Sequence, residues 1–255
     1  MSQGPPFAER LIEEGRELYE AARDLRLDLR LMGGVGIRLL LGERLPPAYR
    51  RSYRDLDVMV RRKQRRDVET LLAKRGWEPA TEFNALGGGR RLLFHDPASE
   101  AQVDVFVESF EMCHSLPLVD GLDRPGPSLP ATDLLMSKLQ IVSLNTKDRN
   151  DCYALLESCT IAEGDHEAIE LSRIAGLAAG DWGIHHTFEL NLRRLREGLG
   201  AVAQADAEQI NSILDQLCDA IDEVPKTRAW KLRAKIGERK RWYEEPEEVD
   251  RAGNG

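Results

Sequence analysis

The sequence predicts an α+β fold, in which a small mixed β-sheet core with helices is followed by an all-helical C-terminal half. Short apolar runs that suit strands alternate with helical segments over the first 117 residues. A stretch rich in proline and glycine, residues 118–130, then interrupts this pattern. Beyond it, every strong apolar periodicity is helical. We therefore predict a core domain over residues 1–128 and a helical domain over residues 129–255.

The elements of the first half follow from local patterns. Apolar residues recur at helical spacing over residues 7–25, and a short apolar run then ends at the pair Gly33-Gly34. Later runs rich in valine and leucine predict strands, and a charged segment with one apolar face predicts a helix. The predicted strands are 27–32, 55–60, 92–95 and 102–107, and the predicted helices are 7–25, 37–41 and 63–75. In the second half the predicted helices are 133–144, 148–158, 166–177, 181–199, 206–221 and 227–241.

Composition excludes several classes of protein. Hydrophobic residues make up 42% and charged residues 31% of the 255 positions, as in ordinary globular proteins. The formal net charge of −8 argues against a molecule built as a general binder of nucleic acid. The four cysteines fit no zinc-binding spacing. Since no segment resembles a secretory signal or a membrane span, we expect a soluble, cytoplasmic protein without a membrane partner.

Two motifs in the first half carry chemistry. Gly33 and Gly34 stand between a predicted strand and a predicted helix, where backbone N–H groups can meet phosphate oxygens. Asp55 and Asp57 occupy alternate positions of the next predicted strand, so both carboxylates leave the same face of the sheet. The two motifs together indicate a site for a phosphate group and its counter-ion.

A third carboxylate, Asp104, lies in an apolar strand. Burying it would be costly unless a positive charge meets it. If its strand neighbours residues 55–60, the three carboxylates form an oxygen-lined Mg²⁺ site suited to in-line displacement at phosphorus. A salt bridge to a nearby arginine would also satisfy Asp104.

Three short motifs together resemble the signature of the polymerase-β-like nucleotidyltransferase superfamily. They are Leu31-Met32-Gly33-Gly34, Asp55-Leu56-Asp57 and Val103-Asp104-Val105. The sequence is most similar to the bacterial branch near the abortive-infection type IV toxins, which adds a lysine on the next helix and a basic–Asp pair. Lys138 and the run 147–151 match these additions, so the resemblance spans roughly residues 31–156. Segments 181–183 and 240–243 look like features of a narrower subgroup.

The resemblance implies roles for seven residues. Asp55, Asp57 and Asp104 would be the catalytic residues and metal ligands, with Asp104 also the base toward an attacking hydroxyl. They would hold two Mg²⁺ ions, with Mn²⁺ as an alternative cofactor. The nucleotide-binding residues would be Gly33 and Gly34, which hold the triphosphate, and Lys138 and Lys147, which neutralise phosphate charge.

The sequence departs from the superfamily pattern beside the glycine pair. Val35 and Gly36 supply no hydroxyl to touch phosphate, and Tyr53 stands where many relatives have serine or threonine. Both departures bear on the geometry of the triphosphate rather than on metal binding.

Two functions remain open at this stage. In the first, the protein is an enzyme that transfers a nucleotidyl group from an NTP to a hydroxyl on RNA, a protein or a small molecule. In the second, the nucleotidyltransferase fold has lost its chemistry and acts as a nucleotide- or partner-binding regulator or toxin–antitoxin component. The intact carboxylates favour the enzyme, and the missing hydroxyl beside the glycines leaves room for the regulator. The acceptor and the oligomeric state do not follow from the sequence.

Overall fold

The computed structural model describes residues 7–86, 89–202 and 205–245 and confirms the α+β class. Helices and strands mix in the first half of the described chain, and the second half is helical. The strands are β1 Leu29–Met32, β2 Asp55–Val60, β3 Glu78–Pro79, β4 Arg91–His95, β5 Gln102–Val107, β6 Phe110–Glu111 and β7 Ser115–Leu116. The helices are α1 Phe7–Asp24, α2 Gly33–Leu41, α3 Arg65–Lys74, α4 Thr81–Leu86, α5 Ala131–Leu139, α6 Thr146–Ser158, α7 Leu171–Gly180, α8 Trp182–Gly198, α9 Ala207–Glu223 and α10 Arg228–Ile236.

The main sheet is mixed and has the strand order β1-β2-β5-β4-β3. Strand β2 runs antiparallel to β1 and parallel to β5, whereas β4 runs antiparallel to both β5 and β3. The predicted neighbourhood of residues 55–60 and 102–107 is therefore confirmed. Strands β6 and β7 form a separate hairpin directly after β5.

The two faces of the sheet belong to two hydrophobic clusters, because side chains alternate along each strand. One face, with residues such as Val58 and Val105, packs with α1 and α3. The other face contributes Met32, Met59 and Phe106 to a cluster that includes the helices of the second half. The helical half therefore covers the face of the sheet that also carries Asp57 and Asp104.

The division at residues 128 and 129 stays a prediction, and its outer ends, 1–6 and 246–255, lie outside the described residues. Several contacts cross the boundary, among them the ion pair of Arg51 with Asp151. The backbone N–H of Leu129 donates to the carbonyl of Leu31, and the shared hydrophobic cluster joins both sides. In the described part of the chain, the helices are too short or too polar to cross a membrane.

Candidate active site

The site forms where β2 and β5 begin. These strands are parallel, so their first residues lie at the same edge of the sheet. The register places Asp57 opposite Asp104 and Asp55 opposite Gln102. Further along the same face both strands are apolar, at Met59 and Phe106, which are buried under the helices. On this face, the buried pair Met59 and Phe106 is therefore followed directly by the carboxylate pair Asp57 and Asp104 at the edge of the sheet.

The glycine pair meets Asp57 because β1 is antiparallel to β2. Met32, the last residue of β1, pairs with Asp57, and α2 begins at the next residue. A Cβ on Gly33 would overlap the Asp57 carboxylate, and Gly33 has a φ of +61°, which favours glycine. Met32 has no oxygen in its side chain and does not cap the helix. The N–H groups in the first turn of α2 thus receive no cap from Met32, and they lie beside the Asp57 carboxylate.

Asp104 is already paired in this structure. Arg91 donates from Nε and Nη2 to the two oxygens of Asp104, at 2.8 and 2.9 Å. The antiparallel register pairs Arg91 with Phe106, two residues from Asp104 and on the same face. The arginine salt bridge that the sequence left open is thus present.

The acidity of Asp57 is strongly perturbed. Burial and the neighbouring charge of Asp104 raise the pKa of Asp57 to about 7, while the positive charge of Lys138 opposes this shift. Asp55 occupies the exposed start of β2. Two carboxylates side by side in a partly buried edge repel each other, so the pair would be stabilised by a cation.

Lys138 joins the site from the last turn of α5. Its ammonium lies 2.9 Å from Asp148 and 3.0 Å from Asp151, both on α6. Burial disfavours the charged ammonium, but the two carboxylates outweigh burial and raise the pKa of Lys138. Asp151 also binds Arg51, with 3.0 Å between Arg51 Nη2 and Asp151 Oδ2. The result is a chain of charges from α6 back to the loop before β2.

The structure brings most of the seven predicted site residues together, but Lys147 lies apart on the surface. Asp57 and Asp104 are in register, Gly33 and Gly34 begin the adjoining helix, and Lys138 lies close enough to affect the pKa of Asp57. Lys147 is exposed in the first turn of α6, beside Asp148. Whether these residues act as assigned remains a prediction.

The donor set suits a hard divalent ion, because carboxylate oxygens are the ligands that Mg²⁺ prefers. Over the described residues, however, no group of three or more His, Cys, Asp or Glu side chains is arranged to hold a metal ion. Arg91 occupies both oxygens of Asp104. A metal ion bound by Asp104 would therefore compete with Arg91 for these oxygens.

The sequence alone does not identify Arg91 or Arg51 as residues of the site. Arg91 could have been found only with the β4–β5 register, since it is thirteen positions from Asp104 in the chain. Arg51 stood among many basic residues between 50 and 66, and nothing in the pattern singled it out. Its position over Gly34 depends on the path of the loop before β2.

A family model described as aminoglycoside-2''-adenylyltransferase matches residues 16–88. The matched segment holds Gly33, Gly34, Asp55 and Asp57 but ends before Asp104, and it covers less than a third of the chain. It supports the predicted nucleotidyltransferase superfamily. The abortive-infection toxin branch and a toxin–antitoxin role stay predictions. No curated protein matches the sequence significantly.

Three solved structures that match this chain are distant from it in sequence. The solution structure of the antibiotic-resistance factor ANT(2'')-Ia matches over 58% of this chain and 83% of that chain, with 14% identity and a TM-score of 0.42. The lincomycin-bound lincosamide antibiotic adenylyltransferase LnuA matches over 56% and 94%, with 15% identity and a TM-score of 0.41. An antigenic nucleotidyltransferase-like protein from Paracoccidioides brasiliensis matches over 89% and 98%, with 15% identity and a TM-score of 0.44. Likenesses this weak carry no functional weight.

Proposed function

We propose that the protein is a nucleotidyltransferase, which moves a nucleotidyl group from an NTP to a hydroxyl acceptor by Mg²⁺-dependent in-line displacement. The observation that carries the proposal is the parallel register that sets Asp57 opposite Asp104, beside the glycine-led start of α2. Carboxylates next to free backbone N–H groups provide for a phosphate and its counter-ion at one place. The family match over residues 16–88 supports the same conclusion.

Each part of the site has a role in this reaction. Asp55, Asp57 and Asp104 would hold Mg²⁺, which stabilises negative charge on the phosphate oxygens when bound. The N–H groups of Gly33 and Gly34 orient the triphosphate at the start of α2. An Asp104 oxygen accepts the proton of the acceptor hydroxyl once Arg91 has released it. Asp104 would therefore be a metal ligand and a base, and both roles compete with its salt bridge to Arg91.

The acceptor hydroxyl would lie on a small molecule. The family model that matches is named for modification of aminoglycosides, and its match includes the first two carboxylates. Aminoglycosides are therefore the first acceptors to test, with RNA and protein hydroxyls as further classes. The helical half covers the sheet face that carries the site and would select among them.

One observation favours a second function, a nucleotidyltransferase fold without chemistry that binds a nucleotide or a partner as a regulator. Arg91 donates to both oxygens of Asp104, as it would in a permanent structural salt bridge. Replacing Arg91 with methionine discriminates between the two functions. If Arg91 competes with metal, wild type binds Mg²⁺ with nucleotide, and Arg91→Met binds it more tightly. Under the second function, the nucleotide affinity of wild type does not depend on Mg²⁺, because Asp104 stays paired with Arg91.

Pyrophosphate release tests the enzyme directly. Wild type is incubated with each NTP, Mg²⁺ and a panel of aminoglycosides, and release is followed with Asp57→Asn, Asp104→Asn and the surface control Asp67→Asn. The proposal expects acceptor-dependent release by wild type and Asp67→Asn, and none by the two site variants, whose fold circular dichroism checks. Wild-type activity in either Asp57→Asn or Asp104→Asn would show that the metal assignment is wrong.

A further inference from the structure

Arg51 lies over the start of α2 and is fixed there from two sides. A Cβ on Gly34 would overlap Arg51 Nη2, and its next nearest neighbour would be the ring of Tyr53. The Arg51 guanidinium lies 4.7 Å from the centre of that ring. Asp151 accepts hydrogen bonds from Arg51 Nη2 at 3.0 and 3.2 Å. The guanidinium is thus held within contact distance of the first turn of the helix.

Consecutive glycines therefore meet groups of opposite charge. Gly33 is in contact with the carboxylate of Asp57, and Gly34 is in contact with Arg51. A phosphate at the start of α2 would have the helix N–H groups below it, a cation on one side and the carboxylate edge on the other. Arg51 retains 24% side-chain exposure, so a ligand can reach it.

Lys138 is placed differently. Its side chain is only 12% exposed, and its ammonium lies between two carboxylates, Asp148 and Asp151. Two of its three donors are already used. Turning it toward a phosphate would leave a buried carboxylate without its partner, which is strongly unfavourable.

We propose that Arg51, rather than Lys138, is the side chain that binds the triphosphate, and that Lys138 is a positioning residue. Lys138 holds Asp151, and Asp151 holds Arg51. The planar guanidinium suits two phosphate oxygens at once, which an ammonium does not. It would supply the phosphate contact that the missing hydroxyl beside the glycine pair does not make. This inference rests on the proposed function, since it assumes a nucleotide in this site.

The test measures dissociation constants for an NTP and the matching NMP by calorimetry with Mg²⁺. The variants are Arg51→Met, Arg51→Lys and Lys138→Met, and the control is Arg50→Met. Arg50 is exposed in the same loop and donates to the carbonyl of Leu45. Arg51→Met should fold, because Asp151 keeps Lys138 as a partner. Melting curves confirm that each variant is folded.

We expect Arg51→Met to weaken NTP binding roughly tenfold or more while weakening NMP binding less, because a charge-assisted contact to the outer phosphates is lost. Arg51→Lys should recover part of the loss, and Arg50→Met should bind as wild type does. Lys138→Met should lower the melting temperature and should reduce the preference for NTP over NMP less than Arg51→Met does, because Arg51 keeps its contact with Asp151. The ratio of the NTP and NMP dissociation constants reports contact with the outer phosphates. The loss of a purely structural residue would not change this ratio.

Two results would overturn the inference, and they are distinguishable. If wild type binds NTP and Arg51→Met keeps both the affinity and the NTP preference, the assignment of Arg51 fails while the proposed function stands. The same holds if Lys138→Met alone loses the preference. If wild type binds no nucleotide at all, the proposed function fails, and the role of Arg51 fails with it.

Discussion

At the scale of single residues, Gly33 and Asp57 constrain each other. The chain leaves β1 opposite Asp57 and turns at once into α2, so no side chain fits at position 33. The positive φ of Gly33 adds a second reason for glycine. The Asp57 carboxylate can therefore lie against the start of α2 only while position 33 is glycine.

Gly33→Ala should lower the free energy of unfolding more than the same substitution at a control glycine. Gly42 also has a positive φ, +54°, but a Cβ there meets nothing within 4 Å. Gly42→Ala should therefore lose only the conformational term, on the order of 1 kcal/mol. Gly33→Ala should lose this term and also displace Asp57. Urea unfolding of both variants measures the difference, and equal losses would contradict the packing of Gly33 on Asp57.

The carboxylates of the site could be predicted from the sequence, whereas their partners could not. Asp55, Asp57 and Asp104 stand out because a charged residue in an apolar strand is costly, which is a local property. The fork of Arg91 on Asp104 depends on a strand register, and the position of Arg51 depends on a loop path. Both are set by tertiary packing, which one sequence does not display.

At the scale of elements, the start of α6 sets the charge network. Asn145 caps this helix, with its side-chain oxygen accepting from the N–H of Asp148 at 3.1 Å. Asp148 then binds Lys138. A cap on one helix thus fixes the carboxylate that holds the lysine of another.

Asn145→Ala should lower the free energy of unfolding by about 1 kcal/mol through loss of the cap, and it should also weaken nucleotide binding. Asp206 provides the control, since it caps α9 by accepting from Gln209 N–H at 3.0 Å. Asp206→Ala should lose similar stability and leave the nucleotide affinity unchanged. Calorimetry on both variants measures this. Unchanged affinity in Asn145→Ala would show that the network does not position the site.

Long elements were predicted better than short ones. Strands β2 and β5 begin and end where the apolar alternation predicts, and α1 ends one residue early. The sequence does not predict β3, α4 or the β6–β7 hairpin, because strands of two residues and a helix of less than two turns are too short for a recognisable apolar pattern. The helix predicted from residue 166 begins at Leu171, because Ile169 pairs with Ile161 in an isolated bridge instead.

At the scale of the whole molecule, the two halves share a core. The cluster around Met59 and Phe106 includes residues of α9 such as Leu214. Separating the halves would expose this apolar surface, at a cost of roughly 25 cal/mol per Å². We therefore expect the described chain to unfold as one cooperative unit, although a sheet-bearing half and a helical half can be distinguished.

A substitution on the far face of the sheet tests this cooperativity. Val105 packs on the face away from the helical half and is fully buried. Val105→Ala should lower the hydrogen-exchange protection of β5 and of α9 alike, because both open in the same event. Leu232→Ala, at an exposed position of α10, should lower neither. A loss confined to β5 would mean that the halves unfold separately.

The most direct test of the central claim, a metal-dependent nucleotide site at Asp57, is a thermal melt with each NTP, with and without Mg²⁺. Ligand that binds only the folded state raises the melting temperature by mass action. We predict a rise in melting temperature that requires Mg²⁺ in wild type and in Asp67→Asn, and that is absent in Asp57→Asn. No rise with any NTP in wild type, or an equal rise in Asp57→Asn, would contradict this prediction.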